Sequence, residues 1–248
     1  RSADLVETNG QRNREEMEYE LLDTGVFDED RYFDVFVEYA KVHPEDILIK
    51  ITAFNRGPEA AELHLLPTLW FRNDWATWIA ESNRSPQKPS LREVTGAAGT
   101  SAVVATHPLL GEFVLACEGD VPLLFTENET NHERLFGQKN ESGYVKDGIN
   151  DCIVQGNQAA VNPEKQGNKV AVHYRLMVEP ARSVTVRLRL SVCGNAGKRK
   201  TAKDVTEPFG TAFDEILTLR LQEADEFYRS LTPPLVSPDA ANVMRQAI

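Results

Sequence analysis

All three tryptophans of the chain fall within nine positions, in the string Leu66-Pro67-Thr68-Leu69-Trp70-Phe71-Arg72-Asn73-Asp74-Trp75-Ala76-Thr77-Trp78. Indole faces stack on the apolar faces of sugar rings, and Arg72 and Asn73 carry the hydrogen-bonding groups that orient a ring, so a glycan platform is one reading of this string. Packing of Trp70, Trp75 and Trp78 in a domain interface is the other, and it is preferred because buried aromatics serve chiefly as packing surface.

A second polar constellation follows in Thr126-Glu127-Asn128-Glu129-Thr130-Asn131, Leu135-Phe136-Gly137 and Lys146-Asp147-Gly148-Ile149-Asn150-Asp151. The oxygens of Asn128, Glu129, Asn131, Asp147, Asn150 and Asp151 suit a polar cleft or a hard cation, but the run lacks the spacing of a calcium loop, so no metal is assigned. It reads either as a solvated loop whose Asn and Asp side chains bond their own backbone, or as a surface facing a neighbouring domain.

Acid–base chemistry of the glycosidase type needs two carboxylates roughly 5 to 9.5 Å apart. Glu127, Glu129, Asp147 and Asp151 are the nearest candidates. Among 38 acidic residues such a pair is easily coincidental, and no catalytic residue is assigned. The nucleophile elbow, the dinucleotide and phosphate loops and the zinc-protease motif are absent, so no cofactor is expected. His43, His64, His107, His132 and His173 are isolated from one another.

The elements that must position these residues are mostly strands. Phe33, Val35, Val37 and Tyr39 alternate with polar neighbours in 32–42, and a second strand follows over 47–54. The turn Asn55-Arg56-Gly57-Pro58 leads to a third strand, Glu62–Arg72. Further strands are expected at Ser101–Thr106, Glu112–Glu118, Pro122–Thr126, Val170–Val178 and Val184–Val192. Two stacked antiparallel sheets, covered on both faces in places, account for this pattern. Ala80–Thr100 and Asn128–Asn168 read as long loops, and loops of that length are uncommon unless functional.

Near the end the period lengthens to that of a helix. Phe213, Ile216, Leu217, Leu221, Ala224, Phe227, Tyr228 and Leu231 form one stripe, with Thr211 and Asp214 resembling a capping box and Pro233-Pro234 closing the helix. Ser237-Pro238-Asp239 then announces another helix. It reaches Val243, Met244, Ala247 and Ile248 without a stop signal, which reads as an element continued by further protein.

Composition bounds the function classes. A 41% hydrophobic and 26% charged chain of 248 residues is of globular type, and a net charge of −11 excludes a nucleic-acid partner. The basic run Lys198-Arg199-Lys200 reads as a solvated loop. No apolar run spans a bilayer, so no membrane partner is expected. Three scattered cysteines do not make a disulfide framework; with no secretory signal at the start, a cytoplasmic location is expected. The sequons at Asn83, Asn128 and Asn140 are therefore read as chance.

Several strings carry a family resemblance. Glu18 through Gly25, Arg31-Tyr32-Phe33-Asp34-Val35, Leu66 through Trp78, Glu127–Gly137, Asp147–Asp151, Glu223–Leu231 and Asp239–Ile248 resemble the N-terminal part of the bacterial and fungal branch of glycoside hydrolase family 63, which includes the mannosyl-oligosaccharide glucosidases. The resemblance implies an all-β, two-sheet antiparallel super-β-sandwich of galactose-mutarotase-like type over 1–206. A helical linker over 207–248 would then lead to an (α/α)6 barrel holding the general acid and base of an inverting α-glycosidase. It implies that this segment is itself non-catalytic, that its partner is its own barrel, and that Arg72–Trp78 and Asn128–Asp151 face that barrel. An autonomous carbohydrate-binding module using Trp70–Trp78 is the alternative, with an oligosaccharide as partner.

Overall fold

The computed structural model describes residues 2–73, 75, 88–193 and 208–247. The protein is mostly sheet, with antiparallel strands in several sheets and a few helices. Helix α1 (Ser2–Gln11) opens the chain, followed by strands β1 (Phe33–His43), β2 (Asp46–Asn55), β3 (Ala61–Leu65), β4 (Thr68–Trp70), β5 (Ser90–Val94), β6 (Thr100–His107), β7 (Gly111–Glu118) and β8 (Leu123–Thr126). Helices α2 (His132–Phe136) and α3 (Gly148–Gln155) precede β9 (Gln166–Gly167), β10 (Lys169–Val172), β11 (Tyr174–Val178) and β12 (Ser183–Val192), and the chain ends in α4 (Thr211–Leu231) and α5 (Pro238–Ala247).

Hydrogen bonding groups the described strands into three sheets, with orders β1-β2-β12-β7-β6-β5-β9, β4-β10-β8 and β11-β3. The single strand expected at Glu62–Arg72 is interrupted. Its first part, β3, pairs with β11 in one sheet, and its second, β4, pairs with β10 in another. Pro67 lies between them and has no N–H to give a ladder; its carbonyl accepts from Val172 N at 2.9 Å. The strand expected over Val170–Val178 divides in the same way, at His173.

Both expected loops contain structure. Residues 90–94, inside the loop expected over Ala80–Thr100, form β5 and pair with β6 from Ser90↔Thr106 to Val94↔Ala102. The polar stretch Asn128–Asn168 holds α2, α3, a 3-10 turn at Gln158–Ala160 and β9. Two side-chain caps explain part of this: Asn131 accepts from Arg134 N, and Asn157 accepts from Ala159 N.

By internal contacts the chain divides into two units. One comprises 1–37, 51–65 and 174–186, and the other 38–50, 66–173 and 187–248. In the first, buried Asn55 organises the turn that follows it. Its Nδ2 donates to the carbonyls of Glu59 and Val178 at 2.7 and 2.9 Å, and its Oδ1 accepts from Gly57 N at 2.8 Å.

In the second unit, α3 rests on the three-stranded sheet. Ile149 and Cys152 bury themselves against Leu124, Val161 and Ala171. Gly148, at the start of α3, lies against the 3-10 turn at Gln158–Ala160, where a Cβ would collide with the carbonyl of Ala160. At the other end, Phe213 packs with Ala40 and Leu48. Arg187 ties the same helix start down: it pairs with Glu118, reaches Asp214 at 3.6 Å, and lies 5.7 and 5.5 Å from the rings of Phe209 and Phe213. Beside it, Arg189 forms a fork to buried Asp46 at 2.9 and 2.7 Å.

The stripe predicted for α4 is buried only at its start. Phe213 is enclosed and Ile216 and Leu217 pack partly, whereas Leu221, Phe227 and Leu231 are exposed. The N-cap is Gly210 with no side-chain bond, so the capping box read at Thr211 and Asp214 does not form. The start signal at Ser237 does act as read, its Oγ accepting from Ala240 N at 3.2 Å.

Candidate functional site

The aromatic string and the polar stretch, 55 residues apart in sequence, meet in one place. Asn168, 1% exposed between β9 and β10, is the joint. Its Oδ1 accepts from Asn128 N, its Nδ2 donates to Glu127, and its carbonyl accepts from Phe71 N at 3.3 Å. Asn128 Nδ2 donates to the Phe71 carbonyl at 2.9 Å, and Asn73 Nδ2 returns to the Asn128 carbonyl at 3.2 Å. Residues 127–129 are also laced to 144–146, with Glu127 N donating to Tyr144 O and Lys146 N to Glu129 O. Three segments are thus fastened by amides, which bond in both directions and need no counter-charge.

This framework borders a cleft of about 540 Å³. Among the described residues Asn73, Trp75, Lys88, Glu129, Thr130 and His132 line it, as do Gln138, Lys139, Glu141 and Val145. Trp75 is 3% exposed, and Lys88 Nζ lies 5.8 Å from its ring centroid while pairing with Glu129 at 2.9 Å. Hydrogen bonding to Glu129 raises the Lys88 ammonium above its ordinary value despite partial burial. Glu127 behaves oppositely to a paired acid. Burial raises its carboxyl, the neighbouring Glu129 adds to the rise, and Lys88 and the Asn168 amide only partly offset it.

The acids further along are held by one cation. Arg134 reaches Asp147 and Asp151 at 2.6 Å each, and Asn131 Nδ2 lies 3.2 Å from both oxygens of Asp147. Asn131 Oδ1 meanwhile caps α2 and accepts from Asn140. Asp147, Asp151 and Glu129 therefore already have oxygens engaged by Arg134 or Lys88. The set builds a polar wall braced by ion pairs. Among the described residues no group of three or more His, Cys, Asp or Glu is placed to hold a metal ion.

Of the residues singled out in sequence, Asn73, Trp75 and Glu129 line the cleft; Asn128 bonds to Phe71, Asn73 and Asn168; Asn131, Asp147 and Asp151 brace α2 and α3. Asn150 is exposed on α3, Arg72 is exposed, and Trp70 is 53% exposed on β4. Trp78 lies outside the described residues. Trp70 and Trp75 thus differ sharply in exposure, and the two do not form a shared open platform. Sequence reasoning missed Lys88, Arg134 and Asn168. The first two are lone cations in polar runs, and nothing local marks them. Asn168 follows Gly167, whose missing Cβ lets the chain pass against the Thr126 backbone, and that Gly-Asn pair is the one available signal.

No family model matches the chain. It is 33% identical over 278 aligned residues to Uncharacterized protein YMR196W of Saccharomyces cerevisiae. The match takes in 98% of this chain and 25% of that protein, so the chain spans about a quarter of the length of this curated relative. No described helix is long and apolar enough to cross a membrane.

Proposed function

We propose that the chain is the non-catalytic N-terminal domain of a larger inverting α-glycosidase acting on oligosaccharides. In this reading its sheets form a galactose-mutarotase-like super-β-sandwich, and it works in the cytoplasm. Its partner is a C-terminal (α/α)6 barrel, whose cleft it edges with the wall built from residues 71–73, 75 and 127–151. The observation that carries the reading is the amide framework around Asn168. It brings together two strings that resemble glycoside hydrolase family 63, while Glu129, Asp147 and Asp151 are engaged by Lys88 and Arg134. Such a surface supplies a rigid, hydrogen-bonding wall for chemistry performed by groups from elsewhere. The fourfold greater length of the yeast relative supports the same view.

The test is a comparison of the 248-residue chain with the protein encoded by the whole reading frame, on α-glucosides and α-mannosides. Turnover is expected from the longer protein only; robust turnover by the short chain overturns the proposal. The alternative, a sugar-binding module, draws on the exposed ring of Trp70. Calorimetry of the chain against oligosaccharides, with and without Trp70→Ala, separates the two.

A further inference from the structure

The hairpin joining β6 to β7 ends in His107-Pro108-Leu109-Leu110-Gly111, and its two leucines are 78% and 66% exposed. Exposed leucines need no explanation by themselves; this turn is distinguished by being hydrogen-bonded to its own histidine. His107 Nδ1 accepts from the backbone N–H of both Leu109 and Leu110, at 3.1 and 3.3 Å. Gly111 takes a φ of 79°, a left-handed conformation that a side chain would strain. The hairpin beneath is anchored by the buried Val103 and Leu115, which pair in register. The His107 imidazole also lies 5.6 Å from the ring of Phe71, the residue whose backbone is held by Asn128 and Asn168. The apolar tip is therefore mounted on the same framework as the cleft wall.

We propose that Leu109 and Leu110 form a preorganised docking knob, which inserts into an apolar pocket of the polypeptide continuing this chain in a protein as long as its yeast relative. The inference rests on the reading of the chain as one domain of a larger protein. A turn already ordered loses little conformational freedom on docking, which is the property of a contact built to be buried. A second copy of the chain is the poorer occupant. Two side chains fall far short of the roughly 800 Å² that each partner contributes to a stable association, whereas a covalently joined neighbour is present at high effective concentration and needs no such area. The length of the relative, three quarters of which lies outside the match, provides that neighbour.

The experiment is amide hydrogen exchange of the 107–113 segment in the 248-residue chain and in the protein from the whole reading frame. Exchange at Leu109 and Leu110 is expected to slow at least tenfold in the longer protein, and the double variant Leu109→Ser, Leu110→Ser should abolish that slowing. The same variant should leave the melting temperature of the 248-residue chain unchanged, because both side chains are already in water. His107→Ala should speed exchange at the tip in the short chain and weaken, without abolishing, the protection in the long one. Equal exchange in both proteins overturns the proposal, as does concentration-dependent protection in the short chain alone, which would assign the knob to self-association. A reading frame that ends with this chain removes the parent-domain reading and the docking proposal together. A frame that continues while the tip exchanges equally removes only the docking.

Discussion

At the scale of single residues, Glu127 shows how burial and a like charge act on one group. Its carboxyl is held above the usual carboxylate range by burial first and by Glu129 second. A folded-state value above the unfolded one means that folding takes up a proton. The stability this provides is complete below the ordinary carboxylate value and is lost as pH rises through the raised one. Glu127→Gln keeps an oxygen for Asn168 and cannot ionise, so its stability relative to the parent should improve between pH 4 and pH 7. Urea midpoints at the two pH values decide the matter; an unchanged difference rejects the role. The cysteines give a second residue-level test. Burial pushes the Cys117 thiol up to about 12, and Cys152 is also buried, whereas Cys193 is exposed. Iodoacetamide at pH 8 should label Cys193 in the native protein and the other two only after unfolding. Mass spectrometry showing Cys117 modified as fast as Cys193 would contradict this.

Elements are coupled through close backbone approaches and a few large side chains. Helix α3 approaches the neighbouring 3-10 turn this closely only because Gly148 lets the Ala160 carbonyl in. Gly148→Ala is expected to cost about 1–3 kcal/mol, since the neighbour is backbone and cannot rotate away. Gly143→Ala, where a Cβ meets nothing within 4 Å, is the control and should change little. Phe213→Ala removes the residue on which the first turns of α4 are seated and should cost about 3–5 kcal/mol. Thermal or urea denaturation ranks the three variants, and a Gly143 effect equal to that of Gly148 would refute the steric account. Interrupted strands belong to this scale as well. Period-2 alternation marks Glu62–Arg72 as one strand, of which 62–65 and 68–70 are strand, but alternation carries no information about where a run breaks or which strand each part will pair with.

For the whole molecule, α5 adds little to the core. No described residue of α5 is buried, and Arg245 joins it to α4 by an ion pair to Asp225 at 2.6 Å and by stacking 5.0 Å from the Tyr228 ring. An exposed pair of this kind contributes about 1 kcal/mol or less. Removing residues 232–248 should therefore leave the rest of the chain folded, with a midpoint in urea nearly that of the parent. A truncated chain that fails to unfold cooperatively would show that α5 is integral. Exposed Leu221, Phe227 and Val243 on the same pair of helices fit a role outside the sheets.

Sequence alone determined what depends on neighbours along the chain. Alternation identified most of the strands, the turn residues placed Asn55–Pro58, and Ser237-Pro238-Asp239 located the start of α5. The aromatic string and the polar stretch were also visible as places of interest. Tertiary structure decided the rest. That Asn168 joins Phe71 to Asn128, that Lys88 meets Glu129 and that Arg134 meets Asp147 and Asp151 are facts about segments distant in sequence. The division of one extended run between two sheets, and the burial of Trp75 beside the exposure of Trp70, are of the same kind. Local pattern reports how each residue prefers to sit on a strand or helix. Only the folded arrangement sets which partner satisfies a buried amide or charge, because that energy depends on distance in space and not on separation along the chain.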